Sequence, residues 1–110
     1  KKPNIAFKTT VGYTSSNVSL AAGTAVLVGI NASKAEDKDV LKTYNVSKTV
    51  NGGASTSLVT TSLTGTQGDS YSADYPILVA STSGTVEVYT FTVTNRDGIT
   101  NSVSLTVTTN

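Results

Sequence analysis

This chain has no cysteine, no histidine, no methionine and no tryptophan among its 110 residues. Without cysteine it forms no disulfide framework and no thiolate metal site, which leaves the redox compartment open. Without histidine it lacks the usual general base near neutral pH, and without cysteine it also lacks a thiolate nucleophile. No stretch approaches the roughly twenty apolar residues that span a membrane as a helix. We therefore predict a protein that is not an enzyme, binds no cofactor and does not span a membrane.

Charge is scarce as well. Lysine and arginine number 8 and aspartate and glutamate 7, so that the net charge is only +1. A nucleic-acid-binding protein normally carries a basic patch or stripe, whereas the basic residues here are spread along the chain. We therefore expect no nucleic-acid partner.

The few carboxylates provide no convincing site. The candidate calcium ligands are loop residues in two separate segments, Glu36-Asp37-x-Asp39 and Asp97. Calcium takes about six to eight oxygen ligands, usually from several acidic residues, so we predict no metal site. Asp69 and Asp74 share one predicted loop and are the candidate pair for glycoside hydrolysis, but we interpret them as solvated turn residues.

In place of charge the chain has hydroxyl groups, since serine and threonine make up about a third of it. Threonine at alternate positions suits the exposed face of a strand, because its branched Cβ fits a pleated surface. No segment of ten or more residues shows a helical period of apolar residues. Short alternating runs bounded by turn residues recur instead. The pattern predicts a single all-β domain over residues 1–110, a sandwich of about seven to nine strands in two antiparallel sheets.

The sharpest local prediction is a β-hairpin between Tyr89 and Val107. Asn95-Arg96-Asp97-Gly98 suits a type I turn followed by a left-handed glycine. A two-residue turn at Arg96-Asp97 would set apolar residues opposite polar ones and is rejected. The favoured turn places the large apolar residues of both strands on one face. Its register pairs Asn95 with Ile99, Val93 with Asn101, Phe91 with Val103 and Tyr89 with Leu105.

Six further strands are predicted from alternation, over residues 4–8, 17–20, 24–32, 40–50, 56–63 and 75–80. Residues 65–74 are predicted to be a loop, because they are rich in glycine, serine, glutamine and aspartate. Pro3 and Pro76 require a sheet edge or a strand start, since proline has no N–H to donate. Gly29 predicts that another backbone approaches the third strand closely.

Alternation also predicts the core. Val50 is expected to face inward, but Lys42 and Lys48 share its phase, so this strand should leave the core at both ends. The remaining inward residues are Phe7, Val26, Val28, Ile30, Tyr44, Val46, Ile77, Val79, Tyr89, Phe91, Val93, Val103, Leu105 and Val107.

Two points of register stay open. Asn51-Gly52-Gly53 predicts a hairpin turn, but the length of the connection decides which residue lies opposite Val46, either Leu58 or Val59. Val86 and Val88 are out of phase with the aromatic residues that follow them. Either a bulge near Val88 or outward-facing valines would reconcile them.

The hairpin pattern Gly84-x-x-x-x-Tyr89-x-Phe91-x-Val93-x-Asn95-x-x-Gly98, followed by Val103-x-Leu105-x-Val107, resembles the closing hairpin of bacterial immunoglobulin-like domains. PKD and cadherin-like modules end in the same way. Pro3-Asn4-Ile5-x-Phe7 and Ala22-Gly23-Thr24-x-Val26-x-Val28-x-Ile30 also resemble Ig-like domains at the N-termini of Gram-negative outer-membrane lipoproteins. The resemblance implies an Ig-like Greek-key β-sandwich.

Members of this class are mostly spacers, adhesive modules or accessories of glycan systems. The resemblance therefore implies an extracellular or outer-membrane-anchored protein of the bacterial cell surface, with Lys1-Lys2 serving as a tether after a lipid anchor upstream of Lys1. We expect a monomeric structural or spacer module whose partners are flanking domains or other envelope proteins. The alternative is a glycan- or protein-binding adhesion module acting through loops or a sheet edge, for which the first strand, residues 5–10, is the expected edge.

Tyrosines are the candidate contact residues. Tyr44 and Tyr89 fall in the core phase of their strands and are expected to be buried. Tyr13, Tyr71 and Tyr75 lie in or beside predicted loops, where aromatic rings stack on sugars or anchor a partner. The alternative is that these three rings close the ends of the sandwich.

Overall fold

The computed structural model describes all 110 residues, and nearly all of its regular structure is β. The strands are β1 (Asn4–Phe7), β2 (Val18–Leu20), β3 (Ala25–Ser33), β4 (Leu41–Val50), β5 (Thr56–Ser62), β6 (Ser70–Leu78), β7 (Val86–Asn95) and β8 (Thr100–Thr109), with a 3₁₀ helix over Gly65–Gly68. They form a small sheet in the order β1-β3-β6 and a large sheet in the order β2-β8-β7-β4-β5. The two sheets enclose one core of 15 buried residues. The predicted all-β sandwich is confirmed.

The chain crosses between the sheets in the manner of an Ig-like Greek key. It passes from β3 to β4, from β5 to β6 and from β6 to β7, and only the β4–β5 and β7–β8 hairpins stay within one sheet. One pairing departs from the expected antiparallel sheets, because β2 runs parallel to β8. The N-terminal segment is divided between the sheets, with β1 on β3 and β2 on β8.

The predicted β7–β8 hairpin is confirmed in its register, from the pair Tyr89–Leu105 to the pair Val93–Asn101. At the turn the backbone N–H of Asn95 donates to the carbonyl of Ile99 at 2.9 Å. Gly98 has a φ of 79°, in the left-handed region that a residue with a Cβ rarely adopts. The local turn chemistry therefore sets the register of both strands.

The structure settles both open points of register. β7 pairs with β8 without a bulge, so the two valines face outward and Glu87 faces inward between them. Asn51-Gly52 forms a tight turn in which both residues have positive φ, 51° and 76°, as a type I′ turn requires. Val59 lies opposite Val46, and an adjacent bulge leaves Leu58 at the surface.

The core follows the predicted alternation closely. All the predicted core residues are buried except Phe7 and Val103, which are half-buried and pack against the core. The expectation that Val50 lies in the core is wrong. Its side chain is 41 % exposed, because β4 ends at this residue and a surface turn follows. Leu41 and Leu63, which alternation missed, are buried together at the open end of the β4–β5 hairpin.

The predicted loop over residues 65–74 is wrong in its second half. β6 begins at Ser70, and its pairing with β3 extends to the pair Ser33–Ser70. Residues 70–74 alternate polar and apolar side chains, and pairing with β3 outweighs the low strand preference of serine and aspartate.

Both prolines lie where sequence reasoning placed them, on or beside the edge strands of the small sheet. Pro76 lies opposite Leu27, whose carbonyl accepts a hydrogen bond from Thr14 on the other side of β3 at 2.8 Å. An N–H at position 76 would therefore point away from β3, toward the free edge of the sheet. Proline at this position costs no hydrogen bond of the β3–β6 ladder.

The chain begins at one end of the sandwich and finishes at the other. At the entry end, the carbonyls of Lys1 and Pro3 accept hydrogen bonds from Asn95 and Asn101 beside the β7–β8 turn. At the exit end, the N–H of Asn110 donates to the carbonyl of Leu20, at the end of β2. The molecule measures 46 × 32 × 19 Å along its principal axes.

Candidate functional site

The candidate site is the outer face of the small sheet, where every second residue of its three strands points to solvent. The strand register arranges these residues in rows that cross the sheet. The rows are Asn4–Ser33–Ser70, Ala6–Asn31–Ser72 and Lys8–Gly29–Asp74. The first two rows carry only small, uncharged side chains, whereas the third carries an ion pair.

An open depression of about 700 Å³ crosses the first two rows. This volume is within the range of about 300–1,000 Å³ that is usual for small-molecule sites. No charged side chain lines it, and Ile5, Ala32 and Tyr71 are among the residues around it. The polar groups around it are amides and hydroxyls, from Asn4, Asn31, Asn101, Ser33, Ser70 and Ser72.

Three of these polar side chains have no hydrogen-bond partner within the protein. Asn4 donates to the Ser33 hydroxyl at 3.3 Å, and Asn101 donates to a backbone carbonyl at 2.9 Å. The side chains left without a partner are exposed and lie on adjacent strands: Asn31, Ser70 and Ser72. They remain available to a ligand.

The third row forms a cluster with Tyr13, one of the predicted contact residues. Lys8 Nζ donates to Asp74 Oδ1 at 2.7 Å, and Tyr13 Oη donates to Asp74 Oδ2 at 2.9 Å. The ammonium also lies 5.2 Å from the centre of the Tyr13 ring. These contacts hold the loop that carries Tyr13 against the small sheet.

The electrostatics of this cluster follow from its hydrogen bonds. The bond from Lys8, with a second from Tyr13, holds the pKa of Asp74 below its usual value. The same bond to the carboxylate raises the pKa of Lys8. The pair therefore stays fully ionised at neutral pH and is electrically self-compensating.

Gly29 lies beneath the cluster. A Cβ at this position would lie 2.6 Å from Tyr13 Cε1 and 2.7 Å from Lys8 Cδ. The prediction that another backbone approaches Gly29 is therefore wrong, because the close neighbours are side chains. The missing Cβ is what lets the tyrosine ring approach the backbone of the sheet so closely.

The other two predicted contact residues lie on β6 and not in a loop. The Tyr71 ring packs 5.3 Å from the ring of Tyr44, between centroids, and Tyr71 also borders the depression. The Tyr75 ring packs between the sheets, 6.2 Å from Tyr89 and 6.4 Å from Phe91. Tyr71 and Tyr75 therefore both lie on the core side of β6, and only Tyr13 lies on the outer face of the small sheet.

A second charged cluster lies inside the sandwich. Lys48 faces inward, contrary to the expectation that its strand leaves the core there, and its Nζ lies 3.1 Å from Glu87 Oε2. Tyr89 Oη donates to the other oxygen of Glu87 at 3.3 Å. Glu87 is only 5 % exposed, so both partners are needed to compensate its charge. Burial raises the pKa of Tyr89 well above its usual value.

Sequence reasoning missed Asn31, Ser70 and Ser72 as site residues. The two serines fell within the predicted loop, and Asn31 lies some forty residues earlier in the chain. The only available signal was the polar-apolar alternation of residues 70–74, which places both serines on one face once it is recognised as a strand.

No three acidic side chains come together as metal ligands in the structure, and it has no helix that is long and apolar enough to cross a membrane. Comparison with protein-family models, curated proteins and solved structures gives no match for this chain. The resemblance to bacterial Ig-like and PKD/cadherin-like modules therefore stays a prediction.

Proposed function

We propose that this chain is a non-enzymatic structural or spacer module of a bacterial cell-surface or secreted protein. The observation that carries the proposal is the placement of residues 1 and 110 at opposite ends of a molecule 46 Å long. Segments joined to the two ends would be held apart by the length of the sandwich. Packing between two sheets makes such a unit stiff, because close-packed cores have low compressibility.

The arrangement of the carboxylates supports a role without catalysis. General acid–base chemistry needs titratable groups that flank a space for the substrate. Asp69 pairs with Lys34 at 2.8 Å, and Asp74 pairs with Lys8 at 2.7 Å. Glu87 is enclosed by its own partners. Each of these carboxylates thus has a structural partner and none faces an enclosed pocket.

The sheet edges support a monomer. β1 and β2 contain only four and three residues, β6 carries Pro76, and β5 contains the bulge that exposes Leu58. Short strands, prolines and bulges are the devices that keep edge strands from pairing with other chains. We therefore assign β1, the edge expected to capture a partner, no such role.

We place the module outside the cell, as a secreted domain or one anchored to the outer membrane by a lipid upstream of Lys1. The hydroxyl-rich, weakly charged surface and the resemblance of residues 84–107 to surface modules support this location. Flanking domains or other envelope proteins are the proposed partners. Fractionation of cells that express the full precursor tests the location, and recovery in the cytosol would contradict it.

A distance measurement tests the spacer role. The chain has no cysteine, so Lys2→Cys with Asn110→Cys provides two unique positions for spin labels. We expect double electron–electron resonance to give one narrow distribution at a long distance, as two positions at opposite ends of a molecule 46 Å long require. A broad distribution, or a much shorter distance, would contradict a rigid spacer. Hydrolysis of a glycan by the purified domain would contradict the non-enzymatic part of the proposal.

A further inference from the structure

The first two rows of the small sheet's outer face form an unoccupied surface with its own shape. Neither row is covered by another element, and five of their six side chains are exposed. Because these side chains are small, the floor of the depression is close to the backbone of the three strands. On the large sheet, Ser104 also points to solvent from a row of hydroxyls, but it lines no depression. Hydroxyl content alone does not create the site.

The chemistry of the depression selects the class of ligand. Amide and hydroxyl groups can both donate and accept hydrogen bonds, as the hydroxyls of a sugar do. No charged side chain lines the depression, so phosphate, sulfate, carboxylate or ammonium groups would find no counter-charge there. Lys8 and Asp74 in the next row already neutralise each other. An apolar anchor would leave the amide of Asn31 without a partner, which is costly when water is excluded.

An aromatic ring lies next to the depression, one row along the sheet, without lining it. Tyr13 lies over Gly29, and Asn31 follows two residues later on the same face, about 7 Å farther along the strand. The hydrogen bond to Asp74 at 2.9 Å fixes the ring. A ring held in place before binding loses little conformational freedom when a ligand packs against it.

We propose that this depression binds an uncharged oligosaccharide. Asn31, Ser70 and Ser72 supply the hydrogen bonds, and the Tyr13 ring packs against the apolar face of a sugar unit. The site lies on a sheet face, whereas sequence reasoning placed glycan binding in loops or at a sheet edge. The inference goes beyond the spacer role and does not depend on it.

A glycan array tests the ligand class. The intact domain is applied to short oligomers of glucose, mannose, galactose and N-acetylglucosamine, printed beside sulfated, sialylated and uronic-acid glycans. We expect retention on one or more neutral oligomers and none on the acidic set. Preferential retention on acidic glycans, or retention on none, overturns the proposal.

Substitutions locate the site on the retained neutral oligomer. Ser72→Tyr fills the depression, and Asn31→Leu removes its amide at similar volume. We expect each to weaken binding at least tenfold in a calorimetric titration, whereas Ser104→Tyr, an equal change on the large sheet, leaves it unchanged. Binding that survives both site variants, or that is lost in the control, overturns the assignment.

Chemical-shift mapping keeps the test independent of how the variants fold. On titration of the unaltered domain with the same oligomer, we expect the largest amide shifts at Asn31, Ser70 and Ser72. Shifts confined to the loops of either end would overturn the site. A negative result in the sugar-binding tests would not change the distance measured between the two ends of the chain. The spacer role and the sugar site can therefore be refuted separately.

Discussion

At the scale of single residues, the fold depends on a few side chains whose surroundings are fully determined. Phe91 is completely buried and meets the rings of Phe7 and Tyr75 edge-on, with centroids 5.8 Å and 6.4 Å away. Strands from both sheets contribute to this contact, so the ring joins the two layers. Edge-to-face geometry is favoured for such pairs because the positive edge of one ring meets the negative face of another.

We expect Phe91→Ala to lower the free energy of unfolding by about 3–5 kcal/mol, since it leaves a cavity where both sheets pack. That is a large part of the stability of an ordinary domain, about 5–15 kcal/mol. Denaturant unfolding measures the change. Leu78→Ala is the matched control, because Leu78 is 69 % exposed and its loss should change stability by about 0.5 kcal/mol or less. Equal effects would show that Phe91 is not a core residue.

The Lys8–Asp74 pair predicts a specific dependence of stability on pH. The folded pKa of Asp74 lies below its ordinary value of 3.8, so the folded state binds fewer protons there than the unfolded state. The stabilisation is present above about pH 4 and is lost as the pH falls through the lowered pKa. The raised pKa of Lys8 acts in the opposite direction. Its stabilisation is fully present below the ordinary lysine pKa of 10.5 and is lost as the pH rises through the higher pKa of the folded state.

We expect Asp74→Asn to reduce the melting temperature at pH 7. Below about pH 4, the melting temperature of the variant should fall less steeply with decreasing pH than that of the unaltered domain. Thermal melts followed by circular dichroism across this range measure both effects. Asp37→Asn is the control, because the Asp37 carboxylate is exposed and makes no salt bridge, and its acid profile should follow the unaltered domain. A variant at position 74 with an unchanged acid profile would contradict the role of the pair.

At the scale of the elements, local and long-range pairings have different origins. The two hairpins are fixed by turns within the chain, Asn51-Gly52 and Asn95–Gly98, whose backbone angles leave one arrangement. The pairing of β3 with β6 joins segments separated by the whole β4–β5 hairpin. Such a pairing is decided by which faces must be buried together and not by a connecting turn.

The free edge of β6 makes a prediction about association. Pro76→Thr supplies an N–H that points away from β3, so the edge gains a donor for another strand. We expect this variant to self-associate more strongly than the unaltered domain at equal concentration, as measured by sedimentation velocity. Ser72→Thr is the control, since it adds a β-branched residue to the same edge without adding a donor. Association of both variants, or of neither, would contradict the argument.

At the scale of the whole molecule, the parallel pairing of β2 with β8 determines how the domain resists a pulling force. Both strands run from the entry end toward the exit end, while the chain leaves at opposite ends. A force between residues 1 and 110 first loads β1, which precedes β2 in the chain and pairs with β3. Once β1 has detached, the force pulls β2 toward the entry end and β8 toward the exit end. The hydrogen bonds between them are then loaded together and not one after another, which suits a spacer.

We expect the end-to-end unfolding force to be several-fold higher than the force between Val86 and Asn110. Those two residues lie together at the exit end, so pulling there opens the β7–β8 hairpin one pair at a time. Single-molecule stretching with cysteine handles at each pair of positions measures both. Similar forces in the two geometries would mean that the β2–β8 pairing carries no load.

Sequence alone determined the all-β class, the core alternation and the register of the last hairpin, because these depend on side-chain phase and on turns a few residues long. It did not determine the parallel β2–β8 pair, the strand that begins at Ser70, or the inward position of Lys48. It also gave no sign that Asn31 would meet Ser70 and Ser72 around one depression. These depend on contacts between distant segments, whose pairing is selected by the burial of both sheets together. Only the tertiary structure decides such contacts, because many alternative pairings satisfy the local pattern equally well.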